Sequence, residues 1–359
     1  MRTVRIRPGV ALDATLAGSV LTRDLSVGGE AWSKGRRLSR EDLAALTGSE
    51  VLARGAWAGT GRDPGSITLL IPEPGDIHED EAARRLADAV AGPGVSLAGP
   101  TESRVDLLAR HDGVLRVRVP TLERIDRIDG LSVFTALDGQ VVAAGALVAS
   151  VKTGPHLVDE ARLERAETLT TLRRHPVVDV RPFVPARIGA LVRESLPELG
   201  RRRFEAGLQS RVGALGSRLT HVAYVGDDAA DVVDALHALA SGPGRVDVLL
   251  TAGAGSTDPQ DPVFQALQAL GGRIVSHGVP AHPGSMLILA RLRRTTIIGL
   301  PTCGAYSKAT AVDLLLPWLL SGEPPTRATV ARLGHGGILT RDQRFRFPAY
   351  AQKLDAPAG

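Results

Sequence analysis

From Arg187 onward the chain repeats one rhythm, in which short apolar runs alternate with amphipathic stretches. The runs Arg187 to Val192, Leu219 to Val225 and Val246 to Leu250 are built mostly from valine, leucine, isoleucine and alanine. Such runs predict strands covered on both faces, because a half-exposed strand would alternate with polar residues. Between them, Pro197 to Leu215 and Asp228 to Ala240 carry apolar residues at helical spacing. A third helix is predicted from near Pro259 to about Leu270. Leu287, Leu289 and Thr295 to Ile298 continue the sheet as an antiparallel hairpin across Arg291 to Arg294, and Ala305 to Leu320 is the last helix. This alternation predicts a three-layer α/β/α sandwich with a mostly parallel sheet over residues 177–325.

The first half is less regular. Val4 to Ile6, Ser19 to Leu25, Val51 to Ala58 and Ile67 to Ile71 read as strands, and Ser39-Arg-Glu-Asp is a capping-box-like start for a helix over Arg40 to Leu46. Asp80 to Val90 is amphipathic and is stopped by Gly92-Pro-Gly94. Further strands are predicted at Val105 to Leu108, Val114 to Val119, Ser132 to Thr135 and Leu147 to Val151, with a charged helix over Asp159 to Leu172. Residues 1–176 therefore read as a mixed α+β N-terminal domain, with the boundary where a new apolar pattern starts at Val177. Residues 326–359 read as a mostly irregular tail with a short strand over Thr329 to Leu333.

Composition narrows the function classes. A chain of 359 residues suits about two domains. Hydrophobic content of 43% with only 3% aromatic residues means aliphatic cores. Net charge is +4, from 43 basic and 39 acidic residues, and the basic ones are spread out. No aromatic ladder accompanies the short arginine runs, which argues against single-stranded nucleic acid as a partner. A single cysteine, Cys303, excludes an intrachain disulfide and a cysteine-cluster metal site. No secretion signal and no membrane-length apolar stretch are present, so a soluble cytoplasmic protein is expected.

Candidate chemistry lies in three small-residue bends at the ends of predicted strands. They read Thr251-Ala-Gly-Ala-Gly-Ser-Thr-Asp-Pro-Gln-Asp261, His282-Pro-Gly-Ser-Met286 and Gly299-Leu-Pro-Thr-Cys-Gly-Ala-Tyr-Ser307. A parallel α/β sheet would bring all three to one edge, where such sheets bind ligands. Gly253 and Gly255 let backbone N–H groups approach a ligand, and Ser256 and Thr257 add hydroxyl donors. The helix that follows offers an N-terminus suited to phosphate. Asp258 and Asp261 would repel that anion unless a hard cation such as Mg²⁺ sat between them, so a phosphorylated ligand plus Mg²⁺ is one reading. The plain alternative is that each aspartate caps the helix. His78-Glu-Asp-Glu81, His277 and His282 have equally plain readings as a helix start and as hydrogen-bonded loop residues.

At these bends the chain resembles the molybdopterin-binding domain shared by molybdenum-cofactor biosynthesis proteins, over Arg187 to about Leu320. That family typically has a Thr-Gly-Gly turn followed by Ser or Gly and then Asp, which Thr251 to Asp261 follows with one glycine lost and one residue gained. His277-Gly-Val279, Pro283-Gly284, Gly299-Leu-Pro301 and Asp227-Asp228 match further segments. The N-terminal half lacks the Asp-Gly-Tyr-Ala segment of the molybdenum-inserting members, and three turns depart as well. The Pro-Gly-Lys-Pro of molybdenum-inserting members is Pro283-Gly-Ser-Met286, their Gly-Leu-Pro-Gly-Asn-Pro is Gly299-Leu-Pro-Thr-Cys-Gly304, and their Thr-Gly-Asp-Glu turn is Val192-Arg-Glu-Ser195.

The resemblance implies molybdopterin or the molybdenum cofactor as ligand, a pterin-phosphate held by Thr251, Gly253, Gly255, Ser256, Thr257, Pro283, Gly284, Ser285, Gly299, Pro301 and Ser307. It also implies Asp258 and Asp261 as catalytic residues holding Mg²⁺, in a molybdopterin molybdenumtransferase-like enzyme that inserts molybdenum or handles adenylylated molybdopterin. It leaves room for a molybdoenzyme partner and a homo-oligomer. Two other readings stand beside it. One is a non-catalytic carrier or sensor of the finished cofactor, with Cys303 as a soft ligand; the other is a nucleotide pyrophosphatase or deamidase of the competence-damage type.

Overall fold

A computed structural model of the chain describes residues 1–7, 10–49, 66–171, 176–193, 195–253, 258–300 and 309–352. They form two compact units. The first comprises Met1–Arg110, Val117–Ala136 and Gly145–Asp179; the second comprises His111–Arg116, Leu137–Ala144 and Val180 to the C-terminus. Among the described residues no helix is long and apolar enough to cross a membrane.

The first unit's sheets are antiparallel. Arg2–Ile6 and Val20–Leu21 flank Ile67–Ile71, and Leu131–Thr135, Leu147–Thr153, Arg104–Ala109 and Val95–Thr101 form a four-stranded sheet in that order. The helix Arg40–Thr47 starts at the expected Ser39, whose side chain accepts from the Asp42 N–H while the Asp42 carboxylate accepts from the Ser39 N–H. Glu79–Val90 buries Ala83, Leu86, Ala87 and Val90 along one stripe, as its spacing requires. The strand expected over Val51 to Ala58 lies outside the described residues.

The second unit is the α/β sandwich. Its elements are β1 (Arg187–Val192), α1 (Glu198–Gly213), β2 (Arg218–Tyr224), α2 (Ala229–Ser241), β3 (Val248–Ala252), α3 (Pro262–Ala269), β4 (Arg273–His277), β5 (Ile288–Leu292), β6 (Thr295–Leu300), α4 (Val312–Leu320), α5 (Arg327–Arg332) and α6 (Ala349–Gln352). The sheet order is β2-β1-β3-β6-β5-β4. The first four strands are mutually parallel, while β5 pairs antiparallel with both β6 and β4. Successive residues of each central strand pack on opposite faces of the sheet, and nearly all are buried. Ile188, Ala190, Val248, Leu250 and Ile298 pack with Phe204 and Leu208 of α1 and Val312 and Leu316 of α4. Leu191, Leu249 and Ile297 pack on the opposite face with Val232 and Leu236 of α2 and Val263 and Leu267 of α3. With both faces covered, the central strands are largely apolar, which is why they were legible as runs.

Several local expectations fail. The strand expected over Ser19 to Leu25 is extended only at Val20–Leu21 and again from Leu25. Val119 of the strand expected over Val114 to Val119 starts the helix Val119–Asp126, and among the described residues the helix expected over Ala305 to Leu320 begins at Val312. Thr329 to Leu333 is not a strand but falls largely in α5, because Thr326 and Thr329 form a capping box that starts a helix there. Val330, Leu339, Phe347 and Ala351 are buried in the core with residues of α1 and α4, so the described residues after 326 pack into the unit.

Candidate functional site

The pairing register sets the geometry of the edge. Thr251 of β3 lies opposite Gly299 of β6, and Gly299 lies opposite Ile288 of β5. The parallel strands β3 and β6 therefore end where the reversed strand β5 begins. That places the ends of β3 and β6 and the start of β5 at one edge of the sheet. A Cβ added at Gly299 would sit 3.3 Å from the Ile288 Cβ and 3.5 Å from the Thr251 Oγ1, so three strands meet there with little room between them.

Each described bend is held by its own backbone. Gly253 turns the chain out of β3 with φ +81°, a conformation that favours glycine. In the second bend the Val279 N–H donates to the Ser285 carbonyl at 2.9 Å, and the Ala311 N–H donates to the Pro283 carbonyl at 2.9 Å. Pro283 and Gly284 are buried while Ser285 is partly exposed, so a hydroxyl is presented from a fixed loop. Of the sequence candidates, Thr251, Gly253, Pro283, Gly284, Ser285 and Gly299 come to this edge. Gly255, Ser256, Thr257, Pro301, Cys303 and Ser307 lie outside the described residues.

The two aspartates part company. Asp261 caps α3, accepting from the Val263 N–H at 2.9 Å, and is 5% exposed. Both its carboxylate oxygens accept from Nη1 of Arg193 at 2.7 Å. Asp258 is exposed, and its Oδ1 accepts from the Gln260 N–H at 2.8 Å in a local turn. The acidic turn at Asp227-Asp228 is divided likewise. Asp228 caps α2, and Asp227 accepts from Nη2 of Arg193 at 2.8 Å.

Arg193 is the residue that the sequence reading passed over. It directly follows β1, its N–H donates to the Ala252 carbonyl at 3.0 Å, and its side chain is 8% exposed. Burial pulls its proton affinity down, but the hydrogen bonds to Asp227 and Asp261 hold it above the ordinary guanidinium value. The chain offered only an arginine directly after a predicted strand; which acidic turns it faces is set by the sheet.

A divalent cation on Asp261 does not fit this arrangement. Mg²⁺ needs carboxylate oxygens at about 2.0–2.1 Å in octahedral array, whereas both Asp261 oxygens are already taken by a guanidinium and a helix cap. Among the described residues no group of three or more His, Cys, Asp or Glu side chains could hold a metal ion. Asp261→Asn keeps a cap oxygen but loses the charge on the Arg193 contact. It is expected to lower the unfolding free energy by about 2 kcal/mol in urea denaturation; an unchanged midpoint would show the contact to be idle.

Residues 194–321 match a family model described as "Probable molybdopterin binding domain". No curated protein matches the chain. Among solved structures, the molybdopterin biosynthesis enzyme MoaB from Thermus thermophilus is 20% identical, over 39% of this chain and 98% of that one, with a TM-score of 0.29. The molybdopterin biosynthesis MoeA protein from Pyrococcus horikoshii is 15% identical, over 72% of this chain and 81% of that one, with a TM-score of 0.28. The molybdopterin biosynthesis Mog protein from Mycobacterium ulcerans is 14% identical, over 38% of this chain and 95% of that one, with a TM-score of 0.27. The C-terminal half thus carries a domain that matches the molybdopterin-binding family, which supports a role in molybdenum-cofactor biosynthesis.

Proposed function

We propose that the second unit binds a molybdopterin-type pterin by its phosphate end at the edge formed by β3, β5 and β6. The meeting of the ends of β3 and β6 with the start of β5, inside the segment that matches the family, carries the reading. Glycine at 253 frees the backbone after β3 for close approach, so amides can take an anion without side-chain interference. Ser285 adds a neutral donor from the second bend. Thr251, 1% exposed, lies at the floor of the edge beside Gly299. In this role the chain acts in the cytoplasm and passes its cargo to a molybdoenzyme.

The carrier reading has a specific observation in its favour. An enzyme that cleaves an adenylylated pterin must neutralise the pyrophosphate as the bond breaks. The carboxylate best placed to hold a cation for that purpose, Asp261, is paired with Arg193 instead. Binding without turnover is therefore expected.

The test titrates molybdopterin and its adenylylated form against the protein and follows AMP release with and without molybdate. Saturable binding without AMP release supports the carrier; release that depends on molybdate and vanishes in Asp258→Ala supports the transferase. Ser285→Lys would restore the charged donor of the Pro-Gly-Lys-Pro pattern, and a charge-assisted contact of about 1.4 kcal/mol should tighten binding about tenfold. If neither pterin binds the wild-type protein, the proposal is wrong.

A further inference from the structure

We infer that Arg193 takes the place of a divalent cation between Asp227 and Asp261, so that these two carboxylates work without a bridging metal. One guanidinium reaches both, through Nη1 to Asp261 and Nη2 to Asp227. That is the bridging role a metal would play between two acidic turns, performed by a residue of the chain. The backbone at the base of this side chain is held as well, since the Arg193 N–H is bonded to the last residue of β3.

Charge and burial agree. A guanidinium stays protonated at any pH the protein meets, and its planar fork matches carboxylate geometry. Its single charge offsets Asp261, which is buried, and leaves the second negative charge on Asp227, which is 81% exposed and screened by water. The Nε–H of Arg193 is buried with no partner among the described residues, so the group is held chiefly by its two carboxylates. Removing the guanidinium would leave two carboxylates facing one gap, one of them in a buried cap. Such a gap takes a hard cation.

The inference deepens the proposed pterin site by describing its acidic side, but its test needs no pterin. Mn²⁺ alone is titrated against the whole protein, with free Mn²⁺ read by electron paramagnetic resonance. Arg193→Ala is expected to bind one Mn²⁺ at least tenfold more tightly than wild type, and adding Asp261→Asn should return it to the wild-type level. Arg193→Gln, which keeps a hydrogen-bond donor to Asp261, should show the same gain and should melt at a higher temperature when Mn²⁺ is present. It carries the test if Arg193→Ala does not fold. The inference is overturned if wild type already binds Mn²⁺ as tightly as the variants and loses it in Asp261→Asn. It is also overturned if a variant with native circular dichroism gains no Mn²⁺ site. Failure of pterin binding with the Mn²⁺ gain intact would remove the proposed ligand and leave the role of Arg193 standing.

Discussion

Gly284→Val is expected to abolish pterin binding and to lower the unfolding free energy by about 4 kcal/mol, from backbone strain of about 1–3 kcal/mol plus overpacking of about 1–3 kcal/mol. Gly284 sits at φ +107°, where L side chains are strained whatever the space. Space is also lacking. A Cβ built there would lie 2.8 Å from the Ala311 nitrogen, 3.0 Å from the Ala311 Cβ and 3.2 Å from the Thr310 Cβ. The neighbours cannot yield cheaply, because Ala311 and Thr310 are buried and the Ala311 N–H is bonded to the Pro283 carbonyl. A β-branched side chain must therefore push the second bend away from the start of α4, and with it the Ser285 hydroxyl. Urea unfolding and a pterin titration measure the two effects separately. A variant as stable as wild type that still binds would show that the bend is neither strained nor part of the site.

The second large effect is expected at a buried ion pair beneath the sheet. Asp313 of α4 is fully buried, with Oδ1 3.3 Å from the Nε of Arg211 on α1, itself 5% exposed. Its Oδ2 accepts from the Thr310 N–H at 2.9 Å, and the Tyr350 hydroxyl of α6 faces the same carboxylate. Three helices are thus brought together at one carboxylate. Asp313→Ala leaves the guanidinium buried without its counter-ion and should cost about 3–5 kcal/mol in urea unfolding. Replacing both partners, as Asp313→Leu with Arg211→Met, removes the uncompensated charge and should recover most of that loss. A double variant no more stable than Asp313→Ala would contradict this account.

The same carboxyl has a pH signature. Burial pushes it above the usual carboxylate range, with the Arg211 guanidinium pulling the other way. The folded chain therefore keeps this proton to higher pH than the unfolded chain does. Its contribution to stability is fully present below the ordinary value of 3.8 and is lost as pH rises through the folded value.

Most of the second unit could be read directly because its signals are local. Strands covered on both faces spell themselves as apolar runs, and β1 begins and ends at the residues expected, Arg187 and Val192. Helix starts are equally local. Asp228 and Asp261 each accept from a backbone N–H only two residues ahead, so their capping roles were available from the chain itself. The turn between β5 and β6 was legible for the same reason, as a hairpin needs only neighbours. The start of α5 lay in Thr326 and Thr329, but the apolar residues around it spoke for a strand.

What the chain alone determined was the alternation of strands and helices from β1 to α3, the β5–β6 hairpin and α4, the aliphatic cores, and the three small-residue segments. Each follows from interactions within a few residues. Only the folded sheet decided that β3 and β6 end beside the start of β5, because a strand's direction and register depend on its neighbours across the sheet. It also decided the partner of Asp261, since Arg193 lies 68 residues away in sequence and meets it only when β1 and β3 pair side by side. Charge pairing of this kind has no local pattern. It arises where separate turns are carried to one place by the packing of everything between them.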